Sequence, residues 1–380
     1  MNPSEMFCPN RRCPKLGLKG LGNVSIHSHK ERRFRCETCR RTFAETTGTP
    51  YFRLHTEEGV VTLVVILLAH GCPPQAIVRA FGFDERTVAR WLERAGQHCQ
   101  AVHEDMVEAG QVDAQHVQAD ELWVKMVGRK VWMALAMAVP SRLWLGGVVS
   151  AQRDGELIRE LALGVRRCLS CLGILLCTDG LVSYVTQFRR IFSVPGVREP
   201  GSKGKTRQVL ATGFLLGQVI KSYVKKRVDA VSQRAVCGTM SEILARVKAT
   251  GGTMINTAYI ERLNATFRSR MAGLVRRTRS LLRRERMLRT GMYLIGCVYN
   301  FCTPHRSLRE ELPAGGRKWR ARTPAMAAGL TDHVWTVSEL LHYRVLPKRI
   351  DLSRWRGKRR KGASPPTPDA PWGAQLAITV

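Results

Sequence analysis

Three acidic residues stand out by their settings in a strongly basic chain. Asp120 lies in VQADELWVKMV, Asp179 at the end of LGILLCTDG, and Glu261 in INTAYIERLNATFRSRMAG. The first reads as a strand bearing valine and tryptophan, and the second as a short apolar strand. The third reads as a helix. Wound at about 100° per residue, it gathers Tyr259, Leu263, Phe267 and Leu274 on one side, with Ile260 and Met271 beside them. Glu261 falls opposite, and Asn264, Ala265 and Arg268 stand with it at i+3, i+4 and i+7. Three hard oxygen ligands converging on one site suit Mg²⁺ or Mn²⁺. Two such ions about 4 Å apart can activate a nucleophile and stabilise the leaving oxygen of a phosphodiester. Each acid also has a plainer reading, and Asp179 alone could simply open a turn before Gly180. Glu121 points to the other face of its strand by alternation and is left out of the site. Asp154 reads as a helix cap and Asp229 as a solvated strand residue.

Cysteines supply a second chemistry. Cys8 and Cys13 in CPNRRCP form C-x4-C, and Cys36 and Cys39 in FRCETCRRTF form C-x2-C, with 22 residues between the pairs. Two such hooks can present four thiolates tetrahedrally to Zn²⁺. So short a segment has little core of its own, so a structural zinc would supply much of its folding energy. Soft sulfur ligands suit phosphodiester chemistry poorly, which separates this site from the acids. Cys168 and Cys171 repeat the C-x2-C spacing but lead into the apolar LGILLC with no matching pair, and read as core. Cys72, Cys99, Cys177, Cys237, Cys297 and Cys302 read as packing residues.

The elements that would position these groups follow from pattern. The chain has 380 residues, 61 Lys+Arg against 30 Asp+Glu, and a formal charge of +31. Basic residues run from Arg11 to Arg360, so a nucleic acid is the expected partner. The amino terminus lacks an apolar signal core, and the longest apolar run, VVTLVVILLA, is too short for a bilayer span, so a cytoplasmic protein without membrane contact is expected. Residues 57–98 read as three helices, the third capped by Asp84. There Val88, Trp91, Leu92 and Ala95 share one face while Arg86, Arg90, Arg94 and Gln97 project roughly opposite. That is a helix-turn-helix with a DNA-reading face, or else an amphipathic hairpin with a solvated one. Next come three strands, a helix over 156–169, the strand ending at Asp179, a helix over about 181–191, a strand within 225–238, and the Glu261 helix. The order βββαβα, then β and α, is that of an RNase H-like mixed sheet flanked by helices.

The expected organisation is a multidomain α/β chain. It comprises a zinc β-ribbon (1–50), a helix-turn-helix domain (51–110), an RNase H-like catalytic domain (111–305), a helical extension (306–350) and a basic tail (351–380). The tail mixes arginine and lysine with proline, glycine and serine, a composition typical of disorder.

The motifs also carry a family likeness. CPNRRCP with FRCETCRRTFAETTGTPYF, ADELWV, TDG, YIERLNATFRSRMAGLVRRTRSL with VYNFCTPHRSL, and RTPAMAAGLTDHVWTVSELL together resemble the DDE transposases of bacterial insertion sequences, of the insertion-sequence-one type with fused zinc ribbon and catalytic domain. Residues 192–240 carry no part of the likeness. The resemblance implies that Asp120, Asp179 and Glu261 are the metal-binding catalytic triad, with Arg262, Asn264 and Arg268 in support. It implies that a metal-activated water cuts DNA at each element end and that the freed 3′-hydroxyl attacks target DNA. The partners would be double-stranded DNA, as terminal inverted repeats and as target, with a homo-oligomer on paired ends. Arg276, Arg277, Arg279, Arg283 and Arg284, which follow the glutamate helix, would neutralise phosphates. A transposase-derived DNA-binding regulator, or an RNase H-like nuclease without strand transfer, would share many of these features.

Overall fold

A computed structural model describes residues 1–109, 111–197, 206–225, 227–275, 281–312 and 318–346. It contains a small compact unit that takes in Met1–Glu45 and a large one spanning Thr46–Val345. The expected tail, 351–380, lies outside the described residues.

In the small unit, β1 (Val24–Ser28), β2 (Arg33–Cys36) and β3 (Thr42–Ala44) form an antiparallel sheet in that order. Its core is Met6, Val24, Phe34 and Phe43 with cysteines. Phe34 and Phe43 are cross-strand partners with stacked rings 5.9 Å apart. This is too little apolar surface for a self-sufficient domain.

The large unit begins with α1 (Glu58–Ala69), α2 (Pro74–Phe81) and α3 (Glu85–His103). Gly82 at φ 70° ends α2, a left-handed turn that glycine adopts readily. Asp84 then caps α3 by accepting from the Arg86 backbone N–H at 2.8 Å. The third helix runs past the expected end because Cys99, Val102 and His103 prolong its buried face. There follow β4 (His116–Met126), β5 (Arg129–Ala138), β6 (Trp144–Ser150), α4 (Gly155–Cys168), β7 (Leu175–Asp179) and α5 (Val182–Ile191). Asp154 caps α4 as expected, accepting from Leu157 N. After a small hairpin of β8 (Ser193–Pro195) and β9 (Gln208–Leu210) come β10 (Leu215–Val224), β11 (Arg227–Cys237), α6 (Met240–Ala249) and α7 (Ala258–Arg270). The unit closes with α8 (Glu285–Cys297) and the short α9 (Pro324–Ala327) and α10 (Val337–His342).

The main sheet is mixed, with six strands in the order β11-β10-β7-β4-β5-β6. Strand β7 lies parallel to both β4 and β10, and the remaining pairs are antiparallel. One expectation needs correction: the region before α7 supplies two strands and a helix, and β10, absent from the sequence reading, is the neighbour of β7. Buried Gln218 and exposed Lys221 and Ser222 interrupt the apolar alternation that would have revealed it. On one sheet face Val117, Ala119, Ala134, Leu176 and Leu216 pack with Leu157, Leu161, Tyr184 and Phe188 and with residues of α1 and α3. On the other, Leu122, Val124, Met133 and Leu135 pack with Ile260, Leu263 and Phe267 of α7 and Leu288 and Met292 of α8.

Helix α3 crosses α8 where Gly96 meets the Thr290 backbone, and a Cβ at Gly96 would collide with that carbonyl. Gly96→Ala is therefore expected to destabilise the large unit by about 3 kcal/mol, read as a lowered denaturation midpoint with unchanged slope.

Among the described residues, no helix is long and apolar enough to cross a membrane.

Candidate metal centres

Cys8, Cys13, Cys36 and Cys39 bring their sulfurs within 4.8 Å of one another. Cys8 and Cys39 are 3.6 Å apart, and Cys13 and Cys36 3.8 Å. A tetrahedron with metal–sulfur bonds of about 2.3 Å has edges near 3.8 Å (estimated from the zinc–thiolate length), so the cluster fits zinc. Burial pushes the Cys8 and Cys13 thiols up. At Cys39 burial also pushes up, but hydrogen bonds from Asn10 and the Arg41 backbone, with its thiol neighbours, outweigh it and bring the thiol down to about 7. Elsewhere, Cys168 is buried with its thiol on the Leu145 carbonyl, while Cys171 is exposed rather than in the core. Cys99, Cys177, Cys237 and Cys297 are buried, and Cys72 and Cys302 are half-buried.

The acidic centre follows from strand register. In the parallel β4–β7 ladder His116 pairs with Leu175, Val117 with Leu176 and Gln118 with Cys177. Continued by two residues, the same offset sets Asp120 beside Asp179 on one face. Asp120, Asp179 and Glu121 each offer an oxygen within 4.8 Å of the others. This corrects the exclusion of Glu121. Alternation does turn it toward the opposite face, where the Tyr184 hydroxyl donates to it at 2.8 Å, but its carboxylate still reaches the other two acids. Arg153 Nε donates to Glu121 at 2.6 Å, and the same guanidinium lies 3.5 Å from Asp179. Asp179 Oδ1 accepts from Leu181 N at 3.0 Å, so this residue also opens the turn into α5.

Glu261 lies on α7, and Gln118, not anticipated from the sequence, fixes where that helix starts. Gln118, fully buried and two positions before Asp120, accepts from the Tyr259 and Ile260 backbone N–H groups, each at 3.0 Å. Its amide donates to the Asn256 carbonyl at 2.7 Å. These bonds satisfy orphan donors at the start of α7 and pin that helix to β4. The same-face spacing of Gln118 and Asp120 was the available signal. Glu261 itself accepts from Lys221 Nζ at 3.0 Å and from Thr257 Oγ1 at 2.9 Å, and is not among the three mutually close acids. Asn264 donates to Asp120 Oδ2 at 2.7 Å and is buried rather than out on the polar face. Arg262 and Arg268 are exposed.

Electrostatics make the site receptive to a cation. Burial first, then the charges of Glu121, Asp179 and Glu261, push the Asp120 carboxyl up to about 7. A divalent cation would relieve both causes. Among the described residues the buried Asn264 Oδ1 has no hydrogen-bond partner, a further acceptor on the side chain that bonds Asp120. The donor set therefore fits Mg²⁺ or Mn²⁺.

Among the expected DNA contacts, Arg86, Arg90 and Gln97 are exposed on α3. Gln97 donates to Glu93 at 3.1 Å. Arg94 is half-buried and donates to the Phe52 carbonyl, which ties α3 to the preceding turn. Arg283 and Arg284 are exposed, and Arg276, Arg277 and Arg279 lie outside the described residues.

Scans against protein-family models and against curated proteins return no match to this chain.

Proposed function

We propose that this protein is a DDE-type transposase, cutting DNA at insertion-sequence ends and joining those ends to target DNA. The observation that carries the reading is the meeting of Asp120 and Asp179 on adjacent parallel strands, with the Glu261 helix capped onto the same strand by Gln118. The strand order and flanking helices support an RNase H-like assignment, the three amino-terminal helices of the large unit a helix-turn-helix, and the small sheet with its four clustered cysteines a zinc ribbon.

Asp120 and Asp179 would hold the divalent cations, with Glu261 as third acid. Glu121 is the nearer carboxylate, but its side chain is 1% exposed and engaged by Arg153 and Tyr184, whereas that of Glu261 is 49% exposed. Glu121 is thus the buried anchor of Arg153, and Glu261, held by Lys221 and Thr257 at the surface, the acid open to substrate-side ligands. Bound Mg²⁺ or Mn²⁺ would supply nucleophile activation and stabilisation of the leaving oxygen. Asn264 keeps Asp120 turned toward the site, and exposed Arg86, Arg90, Arg283 and Arg284 neutralise phosphates. Paired ends call for a homo-oligomer, and the reaction needs no covalent protein–DNA intermediate.

The test is incubation with Mg²⁺, labelled duplexes made from the DNA flanking the coding region, and a target plasmid. Cleavage to a 3′-hydroxyl followed by joining is expected. Cleavage without joining would leave a nuclease, and binding without cleavage a regulator. Binding should weaken steeply with salt, and Arg86→Ala should lower the slope of log K against log salt by about 1.

A further inference from the structure

The sheet face that carries Glu121 is covered by α4 and α5 around Ala134 and Ala136, but β4 and β5 run on past the end of β7. On this overhang Trp123 is 53% exposed and stands opposite Trp132. Lys125 stands opposite Lys130, and both are exposed. The Lys130 ammonium lies 5.0 Å from the Trp123 ring centre and 4.6 Å from that of Trp132. Arg153 stacks 5.1 Å from the Trp132 ring, and its guanidinium also engages Glu121 and Asp179.

The Trp123–Trp132 pair and the Lys130 contacts stabilise the hairpin, but they do not call for two lysines set opposite each other. Like charges directly opposite on antiparallel strands destabilise the pair. None of the ion pairs among the described residues involves Lys125 or Lys130. Exposed Trp123, with Lys130 over its ring and Arg153 over that of its neighbour Trp132, favours a ligand with a flat π-face and negative charge, which describes a nucleobase with its flanking phosphates. A paired base presents only its edge to a protein, so the fitting partner is an unpaired nucleotide. Trp123 lies about 7 Å along the strand from Glu121, by the rise of two strand residues. Arg153 joins the two groups physically.

We propose that Trp123 and Trp132, with Lys125 and Lys130, form a stacking platform for an unpaired nucleotide of the DNA strand beside the acidic cluster. The choice of DNA rests on the function proposed above, while the stacking itself does not need catalysis. Binding is therefore measured in magnesium-free buffer without chelator. A chain that stacks but never cuts would sink the transposase reading alone, and one that cuts without stacking would sink only the platform.

The probes are a fluorescein-labelled DNA single strand, the matching blunt duplex, and a duplex carrying 2-aminopurine in an unpaired flap. Trp123→Ala is expected to weaken single-strand binding about 10-fold while shifting duplex binding by no more than about twofold. It should also abolish quenching of the 2-aminopurine. Trp123→Phe should restore most of the affinity and quenching, and Lys130→Met should lower the single-strand salt slope by about 1. The proposal is overturned if Trp123→Ala binds single strands normally, loses both DNA forms equally, or is not rescued by phenylalanine. Tighter, Trp123-dependent binding of the same RNA strand would overturn it in favour of RNA. A change in oligomeric mass with unchanged single-strand binding would reassign the face to contact between copies of the chain.

Discussion

Asp179→Asn is expected to lower Mg²⁺-dependent DNA cleavage about 10³-fold while leaving DNA binding within about twofold, because lost metal-ion stabilisation is worth several kcal/mol. Asp179 is suited to this test because its side chain is 41% exposed and the asparagine oxygen can still accept from Leu181 N. Glu261→Gln should show the same loss, since its amide can keep the Thr257 contact but not the charge. Glu121→Gln should behave differently. Its carboxylate is buried against Arg153 and Tyr184, so neutralising it costs about 2–3 kcal/mol of stability along with activity. Asp120→Asn adds a pH signature. The folded-state carboxyl is raised from 3.8 to about 7, so its contribution to stability is fully present below the unfolded value and is lost as pH rises through about 7. Metal-free wild-type protein should therefore lose thermal stability across that window, and Asp120→Asn should not. Added Mg²⁺ should restore the wild type and have no effect on the variant. Normal cutting by Asp120→Asn, Asp179→Asn and Glu261→Gln alike would end the transposase reading.

The parts of the fold that were legible in the sequence are those where one physical signal dominates. Strands β4, β5 and β6 show as apolar runs marked by tryptophan and valine, α4 shows its Asp154 cap, and the four clustered cysteines show their spacing. Strand β10 was hidden because its polar positions serve the site. Gln218 donates to the Asp179 carbonyl at 2.7 Å and accepts from Arg234 at 2.6 Å, and Lys221 holds Glu261. Local pattern cannot separate such residues from a loop, because their partners lie some 39 and 40 positions away. The helical wheel of α7 set Asn264 with Glu261 on the polar side. The structure buries Asn264 because Asp120 supplies it a partner there. Glu121 shows the limit of alternation: strand geometry fixes where a Cβ points, not how far a long carboxylate reaches near a sheet end.

Removing zinc is expected to have the largest structural effect. The small unit buries few large apolar side chains, chiefly Met6, Phe7, Leu16, Val24, Phe34 and Phe43. Apparent binding energies of structural zinc sites are about 10–16 kcal/mol, more than so small a core can supply. Without the ion, four sulfurs are left crowded and the two cysteine hooks lose their common attachment. Cys36→Ser, at a fully buried ligand, should abolish zinc binding and remove hydrogen-exchange protection from β1, β2 and β3. Chelation of the wild type should do the same, reversibly on readdition of Zn²⁺. Cys171→Ser, at the exposed cysteine, should keep one zinc per chain and full protection. The large unit has a far larger core, so its melting should be unchanged by either treatment. A wild-type protein that holds no zinc yet protects those strands would show that aromatic packing of Phe34 on Phe43 suffices, and the metal assignment would fall.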